Sequence, residues 1–433
     1  MNNKAGRWLI GIVVFALFAW YVISIINNKQ QGRDPNVLTL WIAPQDVQAQ
    51  FWSIVVDDWN KSGLGMKVVY NTIQTSGSSE ESILNSIVSN TNPDICDNIF
   101  AGFVAQLAEL KSVHNLKEFE GFDELVKSRQ MERIMKGWEK DGEEYVMPMY
   151  SNPIMYWWRG DKLKENGWDK PPETYSELNK LAEKVTIPHR QYAIKLFVGR
   201  NWWDRWSDFI AYYYAASDGQ PYIVDNKAAI DNQYSKEVLD FYYKAFNNNW
   251  SLIDVSISEA FWQGTLLGEI HGPWDIPYAQ NTYPEVLKSV IISPVLVPDS
   301  HKGLKYTLAD TKGLVIFKTC QHPEEAWKFL RWLFSQEKYS MLWLEKTEMP
   351  PARGDLMTNP IFQEYYKNHP YSKAYAEYVG TALPPALITN TIDVQQAMTN
   401  YIMEPLMYKT GTVDSCLKIA TKKINDMLEG NEL

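Results

Sequence analysis

Cysteine is scarce. Cys96, Cys320 and Cys416 are the only three in 433 residues and no two form a CxxC, so neither a zinc site nor a disulfide framework is indicated and the redox compartment is left open. The six histidines fall in no HExxH or other ligand spacing, and no GxSxG or Walker pattern occurs. Neither a metal nor a nucleotide is supported as a cofactor. Basic charge is also short: 42 Lys plus Arg stand against 52 Asp plus Glu, a net charge of −10. That balance gives no general attraction to phosphate backbones and leaves nucleic acid out of the expected partners. There is no internal repeat, low-complexity tract or Pro/Gly-rich linker. A hydrophobic content of 45% with 22% charged residues excludes disorder for the bulk of the chain. What is abundant is aromatic: 18 Trp, 25 Tyr and 16 Phe. Rings of that size are rarely all buried, so some must line surfaces or clefts.

From Trp8 to Ile26 the sequence WLIGIVVFALFAWYVISII runs 19 residues without a charge. At about 1.5 Å per residue it spans about 28 Å, close to the hydrocarbon thickness of a bilayer. Lys4 and Arg7 precede it and Lys29 and Arg33 follow, a weak bias toward a cytoplasmic N-terminus. No small-x-small cleavage site occurs before Asn27 and no cysteine follows to carry a lipid. The reading is an uncleaved anchor and spacer over residues 1–35, holding the rest on the extracytoplasmic face; a cleaved signal is the alternative.

Beyond the spacer the chain alternates short apolar runs with helical periods, the mark of an α/β protein. Val37 to Ile42 and Met66 to Tyr70 read as strands, and Phe51, Trp52, Val55, Val56 and Trp59 share one face of the helix between them. Glu80 to Val88 predicts a helix with Ile83, Leu84, Ile87 and Val88 on one face, before a third strand over Asp94 to Phe100. Thr174 and Glu177 are spaced as a capping box, ahead of Leu178, Leu181, Ala182 and Val185. Gly313 to Phe317 reads as a strand, and Ala326, Phe329, Leu330 and Leu333 then repeat at helical spacing. Two lobes without a long linker imply that the chain crosses between them more than once, as in a hinge.

Several segments carry a family resemblance. GEEYVMPMYSNPIMYWWRGDKLKENGWDKPPETYSELNKLAEKV (Gly142 to Val185) is similar to a segment of the bacterial extracellular solute-binding proteins of the maltodextrin-binding type. The resemblance continues in NTNPDICDNIFAGFVAQLAEL (Asn90 to Leu110), LLGEIHGPWDI (Leu266 to Ile276), GLVIFKTCQHPEEAWKFLRWLFSQE (Gly313 to Glu337) and EMPPARGDL (Glu348 to Leu356). These stand in the family's order and cover nearly everything after Asn36. The chain departs from the pattern in lacking a lipidated cysteine, in Trp158-Arg159-Gly160-Asp161 where Tyr-Asn-Lys-Asp is common, and in Asp310, Thr311 and Lys312 where small residues are usual. The resemblance implies a type II periplasmic binding protein fold: two discontinuous α/β lobes joined by a hinge, closing on a solute for an ABC transporter. The lobes are expected over 36–147 plus 303–347 and over 148–302 plus 348–433, with crossings near Pro148, Asp299 and Pro350.

Sugars offer hydroxyls that donate and accept, and apolar faces that stack on rings, so a saccharide cleft needs amides, carboxylates or Arg beside Trp or Tyr. Such groups are expected in loops beyond the carboxyl ends of strands. Trp274 of the Gly-Pro-Trp run is the first candidate, by its place in the family, with Asp275 either touching a hydroxyl or capping the turn. Gln45 ends the first strand and Asn98 sits in the third, both where a hydroxyl could be met, with satisfaction of loop amides the alternative. Tyr150 and Asn152 border the cleft in the resembling segment, and Asp310 joins them. Of Trp202, Trp203 and Trp206, one is expected at the ligand and two in packing; Trp203 and Trp206 are carried as candidates. Arg353 either approaches the ligand or forms a surface salt bridge. The favoured function is a monomeric, non-enzymatic receptor that delivers a neutral saccharide to ABC permease subunits. A glycoside hydrolase with paired carboxylates and a ligand sensor for a signalling partner are the other classes.

Overall fold

The computed structural model describes residues 34–74, 78–196, 208–254 and 259–430. In the first lobe β1 (Val37–Ile42), α1 (Asp46–Ser62), β2 (Lys67–Thr72), α2 (Ser79–Val88), β3 (Ile95–Phe100) and α3 (Ala101–Glu109) alternate as the sequence predicts. Strand β1 pairs in parallel with both β2 and β3. Alternation puts Leu38, Leu40 and Ile42 inside, and α1 buries Phe51, Trp52, Val55, Val56 and Trp59 against them. Each such ring or branched chain contributes about 1.5–3 kcal/mol by leaving water. Val88 departs from its expected face and is 88% exposed. It is the last residue of α2, where the helix runs off the sheet.

The chain leaves this lobe through β4 (Met147–Pro153), which continues into β5 (Met155–Arg159) of the second lobe. There α4 (Tyr175–Val185), β6 (Tyr192–Lys195), α5 (Asp208–Ala216), α6 (Gln233–Asn247), β7 (Leu266–His271), α7 (Asp275–Thr282) and β8 (Val290–Ser293) follow. The second sheet has the order β8-β5-β7-β6. At the start of α4 the Thr174 hydroxyl accepts from the Glu177 amide, but the Glu177 carboxylate takes the Glu173 amide. The Thr174 hydroxyl also donates to Asp299 at 2.8 Å, so the capping box is replaced by a clasp between distant segments.

The return is β9 (Thr307–Ile316), twice the length expected. Its polar first half is a strand because it pairs antiparallel with β4, from Ala309 against Pro153 to Leu314 against Met147. Its second half pairs with β3. Gly313 stands where the register shifts, and a Cβ there would lie 2.4 Å from the Met147 carbonyl oxygen, so glycine lets the strands touch. Then come α8 (Pro323–Phe334), α9 (Glu337–Thr347), α10 (Pro370–Ala376), β10 (Ala382–Leu383), α11 (Thr391–Met398) and α12 (Val413–Leu428). The first sheet thus reads β10-β9-β3-β1-β2, with β4 on β9.

Packing shifts two of the expected crossings. Leu308 lies in the second core and Leu314 in the first, so one crossing runs within β9. Met349, Ala352, Leu356, Phe362, Tyr366, Ala376 and Val379 belong to the first core, while Val394 and Ile424 belong to the second. The last crossing therefore falls between Val379 and Val394, not near Pro350. Just past Pro350, Ala352 is anchored to β4 by its amide, which donates to the Met149 carbonyl at 3.0 Å. Among the described residues no helix is long and apolar enough to cross a membrane, and Trp8 to Ile26 lies outside them.

Candidate functional site

Where β3, β4 and β9 meet, the first lobe gathers polar groups that the sequence separates by more than two hundred residues. Asn98 takes φ 69°, a left-handed conformation that asparagine tolerates better than most residues. Its side-chain oxygen accepts from Lys312 Nζ at 2.9 Å. Asp97 is fully buried; its carboxylate accepts from the Trp52 indole at 3.0 Å and the Asn98 amide at 2.6 Å. Burial pushes that carboxyl up to about 6, against the pull of the Asn98 amide, the Trp52 indole and the Lys312 charge.

Asp310 stands across the strands from Asn152, and Lys312 across from Tyr150. Burial raises the Asp310 carboxyl, opposed by the Lys312 charge and the Asn152 amide. Tyr150 is buried with its ring stacked on Trp343 at 5.3 Å and 12°. The Asn152 side chain is wholly buried and donates to Met349 Sδ at 3.3 Å, but its carbonyl oxygen meets no hydrogen-bond donor among the described residues. A buried acceptor left open costs free energy, and a ligand donor reaching it would recover that cost. Thus Asn98, Tyr150, Asn152 and Asp310 are brought together, joined by Lys312 and Asp97. Gln45 is exposed at the start of α1 and bonds its neighbour Gln48 at 3.0 Å.

The second lobe supplies a different face at the end of β7. Trp274 is 42% exposed, and its ring lies over Gly272, where a Cβ would stand 2.2 Å from a ring carbon. The ring thus lies against backbone while part of it meets solvent. Asp275 does not cap the turn; its carboxylate pairs with His271 Nδ1 at 2.8 Å. His271 Nε2 lies 3.5 Å from Glu269, which also accepts from Lys195 Nζ at 2.6 Å. Trp157 and Phe261 stand at 4.7 Å and 5.5 Å from the imidazole ring. The His271–Asp275 spacing of four was legible in HGPWD; the Lys195–Glu269 pair depends on β6 lying beside β7.

Burial alone would lower the His271 pKa, but hydrogen bonds and charges from Asp275 and Glu269 outweigh it and raise it from 6.5 to about 9. Burial likewise works upward on Glu269, yet His271 and Lys195 bring it from 4.5 down to about 2. The histidine contribution to stability is full below pH 6.5 and is lost as pH rises through about 9; the glutamate contribution is full above pH 4.5 and is lost as pH falls through about 2. Melting temperature is therefore expected to decline from near pH 6.5 toward pH 9, and His271→Gln to flatten that limb; equal slopes in both proteins would contradict it.

Helix α10 ties this face to the first lobe. Its Ala376 packs in the first core, while the buried Tyr375 accepts from the Trp157 indole at 2.6 Å and donates to the His271 carbonyl at 2.9 Å. Tyr375→Phe leaves both groups unpaired in an apolar setting and is expected to cost about 1–3 kcal/mol, read by urea denaturation.

Arg353 is not at this site. It is 3% exposed and makes a two-point bond to Asp355, at 2.7 Å and 2.6 Å, with its guanidinium over the Phe362 ring. Its Nε and one terminal nitrogen are thus taken by a buried carboxylate of the first lobe. Trp203 and Trp206 lie outside the described residues. Among the described residues no cluster of His, Cys, Asp or Glu could hold a metal ion. A groove of about 750 Å³ between the lobes is lined by Arg133, Lys136, Asp218, Tyr306 and Pro384 among others, and by none of the candidate residues. Volume by itself does not mark the site.

Residues 43–339, more than two thirds of the chain, match the family model of the bacterial extracellular solute-binding proteins. The chain belongs to that family. Solved structures share the fold of this solute-binding protein over nearly its whole length. An uncharacterized protein of Listeria monocytogenes EGD-e is 31% identical with a TM-score of 0.85, covering 91% of this chain and 99% of that one. The cyclic alpha-maltosyl-1,6-maltose binding protein of Arthrobacter globiformis is 18% identical with a TM-score of 0.80, over 92% and 100%. The sugar-binding protein MalE of Xanthomonas citri is 17% identical with a TM-score of 0.77, over 91% and 98%. The last two identities speak to fold alone. Family membership makes the chain a binding protein by descent.

Proposed function

We propose that this solute-binding protein captures a neutral saccharide between its two lobes and delivers it to the permease of an ABC transporter. The observation that carries the reading is a part-exposed Trp274 ring on the second lobe together with an amide and carboxylate cluster on the first, whose Asn152 oxygen has no partner among the described residues. Ring and cluster are what the apolar face and the hydroxyls of a sugar require. The Arthrobacter and Xanthomonas relatives, whose names state a cyclic maltosyl-maltose and sugar binding, support the same class.

Closure works by rotation at crossings through β4–β5, through β9 and between Val379 and Val394. Ligand contacts made only with the lobes together shift an open–closed population. The protein acts as a monomer and not as an enzyme, held on the extracytoplasmic face by Trp8 to Ile26. Gln45, Asn98, Tyr150, Asn152, Asp275, Asp310 and one tryptophan of Trp203 and Trp206 complete the proposed ligand set. Beside the candidate residues Lys195, Lys312 and His271 each have an acidic or amide partner, which favours a neutral ligand there.

A thermal-shift screen of the full chain against neutral oligosaccharides, phosphorylated sugars, amino acids and polyamines tests this. Stabilisation of about 2.7 kcal/mol is expected at a hundredfold excess over Kd for a neutral sugar. Preference for any other class would overturn the reading.

A further inference from the structure

Four residues beyond Trp274, which stands at the N-cap of α7, Tyr278 is 46% exposed, and a spacing of four places the two residues on neighbouring turns of one helix side. Single exposed rings are ordinary, but this pair is built. The Tyr278 hydroxyl donates to Glu259 at 2.8 Å, and the Tyr283 hydroxyl bonds the other oxygen of the same carboxylate. Trp262 stacks on Tyr283 at 4.8 Å and 6°, and Tyr278 meets both rings edge-on at 6.4 Å and 6.1 Å. Glu259 itself holds φ 60°, a conformation uncommon for a non-glycine residue.

The Tyr278 ring is therefore locked at its hydroxyl and at its edge while one side stays open to water. A locked ring loses little conformational entropy on binding. Each Glu259 oxygen is engaged once, and a carboxylate offers roughly four acceptor positions, so room remains for ligand hydroxyls. Successive rings four residues apart on a helix are about 6 Å apart along its axis, comparable with the length of a sugar ring.

We propose that Tyr278 and Glu259 form an outer subsite that takes a further sugar residue of the same ligand, next to the residue stacked on Trp274. The Tyr278 ring covers the apolar face of that residue and Glu259 accepts from its hydroxyls. The proposal rests on the saccharide reading of the Trp274 site and extends it: the ligand is an oligosaccharide whose end lies along α7.

Calorimetric titration of the full chain with malto-, cello-, xylo- and chito-oligosaccharide series, each from the monosaccharide to the hexasaccharide, tests it. In the series that binds, affinity is expected to step up when the chain reaches the outer subsite. Tyr278→Ala abolishes that step, a loss of about tenfold for long ligands, and leaves the shortest bound ligand within about twofold. Tyr278→Phe, which keeps the ring, retains most of the step and guards against misfolding of the alanine variant. Trp274→Ala weakens short and long ligands alike. A wild-type affinity independent of chain length, or an equal effect of Tyr278→Ala on every ligand, overturns the outer subsite and leaves the saccharide reading standing. Absence of binding to all four series, with binding of a non-saccharide, overturns both.

Discussion

Arg353→Ala is expected to destabilise the protein by about 3 kcal/mol while leaving ligand affinity unchanged. Asp355 is 6% exposed, and the two-point bond from Arg353 lowers its carboxyl even though burial pushes the other way. Removing one partner of a buried pair strands the other charge, which is the costly change. Arg129, also buried and bound to the carbonyls of Phe334 and Ala352, keeps a positive charge near Asp355 and limits the loss. Urea denaturation with a parallel binding titration reads both quantities. A variant of normal stability that no longer binds would return Arg353 to the ligand.

Trp274→Ala is expected to do the reverse, lowering ligand affinity by about 1–3 kcal/mol, roughly fivefold to 150-fold, with little change in stability. The ring is 42% exposed and rests on Gly272, so in the free protein its truncation uncovers backbone and little else. In the complex the same truncation removes an aromatic surface shielded from water. Titration of the bound oligosaccharide, beside a melting curve of the free variant, separates these. A lowered melting temperature with normal affinity would identify Trp274 as a packing residue.

The contrast between these two residues shows where one-dimensional pattern stops being informative. Arg353 and Trp274 both stand in short motifs beside proline, and both are types that bind ligands. Arg353 is withdrawn because Asp355, two residues on, and Phe362 fold back over it, which depends on Met349 to Val379 packing in the first core. Trp274 remains open because Gly272 lets its ring lie flat on the backbone.

By itself the sequence determined the alternation of strands and helices, the buried faces of α1, α4 and α8, and the family, because those follow from local periodicity and from motifs kept in order. Period and spacing are properties of neighbouring residues, and neighbours are what a sequence displays. Only the tertiary structure decided that β9 is long enough to cross between the lobes, that Lys312 reaches Asn98, that Lys195 pairs with Glu269, and that Tyr375 joins α10 to the turn carrying Trp274. Each of these is a pairing between segments far apart in the chain. Its free energy comes from strand register and from burial of polar groups against one another, and neither exists until the lobes have formed.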